Sequence, residues 1–411
     1  MRASASRSRY HALVRTPGFW SLYTSGVLGR LPAGMLSISI VFLVSAHTGS
    51  YAIAGAATAS AALGAVLGAP AGGRAADRFG GGPVVLAAAT AEATVMTAFV
   101  VAVRRDVPLP ALLSVALFIG AFAPPIGPVL RASWPRLFPE PDLREAAYAL
   151  ESVTLDVVFI VGPLVASAVA LWSVDLALLA AAVLTFVSSA VLVRRLPLQP
   201  PDARSERRDW RGPLRSGGVV RLLPTAFLTA GAIIAVELAA IASADEHGSR
   251  ALGGALIAAL SVGSIGGGLY WGSRRQPGSP AQQIVVLAGF LGLMFGFLAL
   301  APWLLILGVG LGVAGTALAP LITAQLSLMN DVAPSEHSTE AFAWFGSTTG
   351  AGAAASGAIT GAVIAAFGGS AAFLVTGAFA VAAAAIAFIV LREFTESSWS
   401  AEEVESCSRS S

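Results

Sequence analysis

The chain has no lysine, one cysteine and little charge of either sign. Charged residues make up 12% of the 411 residues, against about 25% in an ordinary soluble domain, and the mean hydropathy is +0.77. A soluble protein of this length would need more charged side chains to cover its core. Lipid must therefore surround much of the chain. The formal net charge of +2 gives no basis for binding nucleic acid.

The scarcity of reactive side chains excludes several kinds of site. The only cysteine, Cys407, has no partner for a disulfide or a cysteine metal site. The four histidines fall in arms or loops, and neither H-E-x-x-H nor G-x-S-x-G occurs, so we expect no enzyme, metal or cofactor. Without lysine there is no G-x-x-x-x-G-K-[ST] nucleotide-binding loop. Arginine in place of every lysine indicates a GC-rich bacterial genome of the actinobacterial kind.

Twelve stretches are long and apolar enough to cross a bilayer, which takes roughly 20 mostly apolar residues. The basic segment Met1–Arg15 resembles the start of a signal peptide, but the apolar run after it is too long for one. We therefore interpret that run as the first span. The predicted spans are 18–45, 51–73, 83–103, 109–131, 148–172, 174–193, 221–243, 251–271, 282–302, 304–326, 340–367 and 371–391.

Arginine placement predicts the orientation. With both termini in the cytoplasm, cytoplasmic segments hold 21 of the 25 arginines, as the positive-inside rule requires. We expect a bacterial plasma membrane protein with both termini cytoplasmic. The predicted domains are a six-helix bundle at 1–193, a cytoplasmic Arg- and Pro-rich linker at 194–220, a second six-helix bundle at 221–391 and a polar cytoplasmic tail at 392–411.

The two halves repeat in sequence. One ordered set of residues recurs at an offset of 199, and a later set recurs at an offset of 195, as a four-residue deletion would produce. We therefore predict two pseudo-symmetric six-helix bundles in parallel orientation, a plan known among transporters. The pairs are Gly49/Gly248, Gly55/Gly254, Gly64/Gly263, Gly68/Gly267, Gly73/Gly272, Pro125/Pro320, Glu145/Glu340, Ser152/Ser347 and Gly162/Gly357.

A motif follows the second span. Gly73, Asp77, Arg78 and Gly80 match the loop motif G-x-x-x-D-R-x-G, and with the twelve spans and the repeat they resemble the major facilitator superfamily (MFS). The family pattern continues with basic residues where this chain has glycines and a proline. The resemblance implies that Asp77 meets the positive N-terminal end of span 11. The plainer alternative is a tight turn with solvated charges.

Two other features bear on a relationship to the superfamily's drug:proton antiporters. Gly162-Pro163 in span 5 partly resembles their Gly-Pro motif, and both an antiport role and a simple proline kink are open. Span 4 contains no embedded arginine by our boundaries, because Arg131 falls at its cytoplasmic end. That absence counts against the proton mechanism common among these exporters.

Four charged residues lie well inside predicted spans and away from their ends, where charge is costly and indicates function. They are our candidates for substrate binding or coupling: Arg30, Glu92, Asp156 and Glu237. Arg30 lies about 18 Å into span 1 at about 1.5 Å per residue. By family resemblance spans 1, 4, 7 and 10 line the pathway, which favours Arg30 and Glu237. The alternative is buried structural pairs such as Arg30 with Asp156 or Glu92.

These features predict a secondary transporter that works by alternating access. The poorly hydrogen-bonding spans favour proton-coupled efflux of a lipophilic or amphipathic small molecule; uptake or facilitated diffusion of a small metabolite is the alternative. We expect a monomer in the lipid bilayer, with the small molecule and protons as its partners. A filter-like loop or charged ring that would indicate a channel is not visible, and a non-transporting sensor stays open.

Overall fold

The regular structure is helical throughout the described part of the chain. The computed structural model describes residues 2–16, 18–196, 212–248, 252–301 and 303–409, with side chains described from residue 9 to residue 389 within these ranges. Two short 3-10 helices, Gly212–Arg215 and Ser335–His337, accompany the α-helices. The α-helices are α1 (Arg2–Arg15), α2 (Phe19–Thr48), α3 (Tyr51–Phe79), α4 (Gly81–Arg104), α5 (Leu109–Ala121), α6 (Ile126–Leu137), α7 (Pro141–Ala170), α8 (Val174–Val193), α9 (Gly217–Glu246), α10 (Leu252–Gly272), α11 (Pro280–Leu298), α12 (Leu304–Gly315), α13 (Leu318–Val332), α14 (Ser338–Phe367) and α15 (Gly369–Arg409).

Twelve helical segments within the described residues are long and apolar enough to cross a membrane. The prediction of an all-α protein with twelve spans is thus confirmed. Large apolar side chains such as Leu164, Leu171 and Trp172 are exposed on the outer surface, as expected where lipid is the solvent.

Several predicted spans are shorter than the helical segments that contain them. The second was predicted at 51–73, but α3 continues to Phe79; the fourth was predicted at 109–131, but its helical segment reaches Leu137. The fifth was predicted from residue 148, but α7 begins at Pro141. Hydropathy detects the part of a helix that lies in hydrocarbon, whereas the helix itself runs on into polar sequence. This difference changes the position of several charged residues.

Spans 4 and 10 are each interrupted at the same place in the repeat. Residues 122–125 separate α5 from α6, and residues 316–317 separate α12 from α13. Pro124 and Pro125 have no N–H to donate, so the helix hydrogen bonds stop there. The second half has the single Pro320, which lies in the first turn of α13, where proline is tolerated.

The chain forms two compact units. The first comprises residues 1–215, 272–274 and 333–351, and it contains α1–α8 and the first part of α14. In it α2 packs on α7 and α8, α4 packs on α8, and α3 packs on α5. The second comprises residues 216–271, 275–332 and 352–411, in which α15 packs on α9 and α11.

The repeated glycines mark the same close helix contact in each unit. A Cβ at Gly64 of α3 would lie 1.9 Å from the Leu117 carbonyl oxygen of α5. In the second unit, a Cβ at Gly263 of α10 would lie 2.0 Å from the Gly312 oxygen of α12. Both glycines match at an offset of 199 and both oxygens at 195. The repeat therefore preserves backbone contacts that only glycine allows.

We expect Gly64→Ala to destabilise the first unit, because its methyl group would overlap a backbone carbonyl that cannot rotate away. Overpacking of this kind typically costs about 1–3 kcal/mol. The measurement is the thermal midpoint of the purified protein in detergent. Gly55→Ala on the same helix is the control, because nothing lies within 4 Å of its added Cβ. Equal midpoints for the two variants would contradict this account of the repeat.

Candidate functional site

Asp77 contacts the start of α14. Its Oδ1 accepts a hydrogen bond from the backbone N–H of Thr339 at 3.0 Å, and its Oδ2 accepts one from Glu340 at 2.8 Å. These N–H groups belong to the first turn of α14 and have no partner within that helix. The carboxylate therefore caps α14 from another helix, and its charge also lies at the favourable end of the helix dipole.

The residues around Asp77 strengthen this junction. Arg74 donates from Nη2 to Oε1 of Glu340 at 2.6 Å and from Nε at 3.1 Å. A Cβ at Gly73 would lie 2.5 Å from the Ala343 Cβ, so α3 and α14 approach closely there. Sequence reasoning named Gly73 and Asp77 but missed Arg74, although its carboxylate partner begins span 11.

The motif is helical and is not a loop, which corrects our prediction. Gly73, Arg74, Asp77 and Arg78 lie within α3, and only Gly80, with φ of 89°, forms the turn to α4. Arg78 is exposed and stacks over the Phe79 ring at 5.1 Å. Within the described contacts it does not join the junction with α14.

The repeat partner of Gly73 makes a related approach. A Cβ at Gly272 would lie 2.6 Å from the Ala149 Cβ on α7 and 2.3 Å from the Tyr10 hydroxyl. Helix α7 is the counterpart of α14 in the repeat. The position matching Asp77 is Gln276, so the capping carboxylate is present in the first half only.

A buried charge cluster lies where α2, α6 and α7 meet. Glu151 Oε1 accepts from Arg30 Nη2 at 2.5 Å and from Arg131 Nε at 2.8 Å. Its Oε2 accepts from Trp134 Nε1 at 2.9 Å. The Glu151 side chain is only 2% exposed. Two cations thus share one carboxylate, which leaves the cluster with one net positive charge.

This cluster corrects two expectations. The partner of Arg30 is Glu151, and the expected pairs with Asp156 or Glu92 are wrong. Arg131 was placed at the cytoplasmic end of span 4, but it is 8% exposed and ion-paired inside that span. Both errors have one cause: the predicted boundaries of spans 4 and 5 put Arg131 and Glu151 at the membrane surface. The missed signal was a pair of opposite charges twenty residues apart in sequence, Arg131 at the end of predicted span 4 and Glu151 at the start of predicted span 5.

A cavity of about 450 Å³ lies beside the cluster, wholly within the first unit. Its walls come from α2, α3, α4, α5, α6, α7 and α14 and are mostly apolar. Arg131 and Glu92 are the two charged residues among those that line it. The cavity therefore offers an apolar volume with one basic and one acidic side chain.

A family model described as the Major Facilitator Superfamily matches residues 22–312. The chain belongs to this superfamily. Among curated proteins, no sequence relative matches the chain. MFS members are transporters and not enzymes, so this is a multi-pass membrane transporter.

Solved structures show the same fold. The human organic anion transporter MFSD10 (TETRAN) is similar with a TM-score of 0.71 and 17% identity, over 90% of this chain and 99% of that one. A bacterial homologue of the iron transporter ferroportin, in an outward-facing state, has a TM-score of 0.71 and 15% identity, with 92% and 98% covered. The E. coli fucose:proton symporter FucP has a TM-score of 0.72 and 12% identity, with 91% and 99% covered. At these identities the likeness concerns the fold alone.

The remaining candidates of this MFS transporter are dispersed. Glu92 lies on α4, is 6% exposed and lines the cavity. Asp156 lies on α7 and Glu237 on α9, and both are partly buried. Glu237 belongs to the second unit, whereas Arg30 lies in the first and is held there by Glu151.

The Gly162-Pro163 pair lies at a close crossing of two MFS spans. A Cβ at Gly162 of α7 would lie 2.6 Å from the Gly34 carbonyl carbon of α2, and a Cβ at Gly34 would lie 2.6 Å from the Val158 oxygen. Pro163 lies inside α7, which continues through it to Ala170. Close packing of α2 on α7 thus explains Gly162 without an antiport role.

Proposed function

We propose that this protein is a secondary active transporter that exports an amphipathic small molecule in exchange for protons. It works by alternating access as a monomer, in a bacterial plasma membrane with both termini in the cytoplasm. The observation that supports this proposal best is the apolar cavity of the first unit with Glu92 in its wall. Such a cavity suits a ligand with a large apolar body and few polar groups.

Glu92 supports proton coupling because it is buried without compensation. Among the described residues, none donates a hydrogen bond to its carboxylate and none forms an ion pair with it. Burying an ionised carboxylate without a cation or donors costs several kcal/mol or more. A group in this position responds strongly to any cation or proton that enters the cavity.

Within the described part of the chain, the helices packed against α4 carry no charged side chain that pairs with Glu92. These helices are α2, α3, α5 and α8. Helix α5 has no charged residue, and the charges of α3 lie in its last two turns, with Asp77 capping α14. On α8, Asp175 pairs with Arg104; on α2, Arg30 pairs with Glu151. Glu92 is therefore the one acidic group free to exchange a proton with the cavity, within the described residues.

We expect Glu92→Gln to uncouple transport from the pH gradient while substrate still binds. Proteoliposomes with an imposed pH gradient would be assayed with a panel of amphipathic probes of neutral, cationic, anionic and zwitterionic charge. Gradient-driven accumulation should fall at least tenfold, whereas exchange without a gradient persists. Glu237→Gln is the parallel variant, because Glu237 is the acidic residue that the family resemblance favours for the pathway. Loss of coupling in Glu237→Gln alone would move the proton site to the second unit.

The proposed orientation is tested by reporter fusions. We expect fusions at Gln199, which lies outside the described residues, and after Arg392 to report a cytoplasmic location. Fusions near Gly49 and Gly248 should report the opposite side; both glycines lie in turns just after a helix and have positive φ, 68° and 71°. If Gln199 and Gly248 reported the same side, the topology of two parallel repeats would be wrong.

A further inference from the structure

We propose that the cavity of the first unit binds a zwitterionic amphipathic compound. Its cationic group lies at Glu92, its anionic group lies at the terminal amino groups of Arg131, and its apolar body fills the space between them. This inference rests on the proposed function and names the substrate class of the same cavity. Three observations support it: unused donors, an unused acceptor and the charge balance.

Arg131 has hydrogen-bonding capacity to spare. Its Nε is used by Glu151, but the two terminal amino groups make no hydrogen bond to any described residue. Neither group is a fully buried polar atom, and Arg131 lines the cavity. A guanidinium with both terminal amino groups available can hold a carboxylate or a phosphate in a bidentate arrangement.

Glu92 has a carboxylate that accepts no hydrogen bond from any described residue, which complements the free donors of Arg131. Its carboxylate lines the same cavity at 6% exposure, and the described residues supply it with no donor. Although Glu92 and Arg131 line one cavity, they do not form an ion pair with each other. Two opposite charges that stay separate at an apolar surface are both poorly solvated.

The charge balance decides which ligand fits. Arg30 and Arg131 contribute two positive charges, and Glu151 and Glu92 contribute two negative charges, so the set is neutral when Glu92 is ionised. A singly charged ligand would satisfy one end and leave the other uncompensated. A zwitterion satisfies both ends and keeps the sum at zero. The rest of the lining, including Leu36, Val66, Phe159 and Phe342, suits an apolar body.

The first test measures the two local charges with thiol reagents. The natural Cys407 is replaced by serine, and single cysteines are introduced as Glu92→Cys, Arg131→Cys and, as a control on the same cavity wall, Thr58→Cys. Each is reacted at alkaline pH with an anionic and a cationic methanethiosulfonate. The measured quantity is the ratio of the two rates at each cysteine, because the intrinsic reactivity of that thiol affects both rates equally.

Glu92→Cys leaves the net positive cluster, so the anionic reagent should be favoured about tenfold or more relative to Thr58→Cys. Arg131→Cys leaves Glu92 beside a neutral Arg30–Glu151 pair, so the cationic reagent should be favoured by a similar factor. Equal ratios at the three positions, or no reaction at Glu92→Cys and Arg131→Cys, would overturn the proposal. Proton-coupled transport of the amphipathic panel does not depend on this result.

The second test compares four forms of one compound: phenylalanyl-phenylalanine, its methyl ester, its N-acetyl derivative and its N-acetyl methyl ester. They are a zwitterion, a cation, an anion and a neutral molecule. We expect the zwitterion to bind at least tenfold more tightly than the others. In Glu92→Gln its advantage over the N-acetyl form should disappear, and in Arg131→Gln its advantage over the methyl ester should disappear.

Tightest binding by another member, or no binding of the zwitterion at millimolar concentration, contradicts the proposal. If the amphipathic panel is still carried in exchange for protons, only the substrate class is wrong. If the panel is not carried but the zwitterion binds with this pattern, the proposed transport direction or coupling is wrong and the site stands.

Discussion

Glu151→Gln should destabilise the protein strongly, by about 3–5 kcal/mol, because it leaves two arginines, one buried and one largely buried, without an anion. Glu151 accepts from Arg30, Arg131 and Trp134 with both oxygens. Glutamine would keep the shape but place an amide against two guanidinium groups. We expect a lower thermal midpoint in detergent and loss of the monodisperse gel-filtration peak.

Arg131→Gln is the matched variant. It removes one cation and leaves Arg30 with Glu151, a balanced pair with good geometry. Its stability should therefore stay much closer to that of the unaltered protein, and its main loss should be in ligand binding. If Arg131→Gln were as unstable as Glu151→Gln, both arginines would be needed to stabilise Glu151. Arg131 would then have no spare positive charge with which to bind an anionic group in the cavity.

Asp77→Asn should reduce transport at least tenfold without preventing membrane insertion. The carboxylate accepts from two backbone N–H groups at the start of α14, and hydrogen bonds to a charged group contribute about 1.5–3 kcal/mol each. Asparagine keeps one acceptor oxygen and loses the charge. A loss of about 2 kcal/mol would change the balance between closed and open α3–α14 junctions by ~30-fold.

The junction can be observed directly with a cysteine at Ala343, which lies against Gly73. We expect faster labelling of Ala343→Cys when it is combined with Asp77→Asn, in a background without Cys407. Arg78→Gln is the control, because Arg78 belongs to the same motif but is exposed over Phe79. Unchanged labelling together with full transport in Asp77→Asn would show that the motif serves only as the end of α3.

Much of the architecture could be predicted from hydropathy and the repeat. Twelve apolar stretches can be recognised directly along the sequence, because lipid imposes a similar length and apolarity on every span. The two ordered sets of glycines can likewise be counted along the chain. The repeated glycines also had a local cause: Gly64 and Gly263 each face a backbone oxygen of a neighbouring helix. The contact of Asp77 with span 11 was expected from the resemblance to the superfamily, and the free N–H groups at the start of α14 explain it physically.

The partners of the buried charges could not be predicted in this way. Arg30 was recognised as costly inside a span, but its partner Glu151 lies 121 residues away on a helix predicted to begin almost at that point. Hydropathy places the end of a span where polar residues start, so it assigned Glu151 and Arg131 to the surface. Their burial depends on how α6 and α7 pack against each other outside the apolar stretches that hydropathy detects.

The sequence by itself therefore determined the all-helical membrane class, the number of spans and the repeat of glycine positions between the two halves. These properties depend on each segment's own composition or on a repeat that can be counted along the chain. Only the tertiary structure decided that Arg30 and Arg131 share Glu151, and that Arg131 and Glu92 line one cavity without pairing. Such features depend on which side chains meet across helices, and burial sets the free energy of each charge through its neighbours rather than through its place in the sequence.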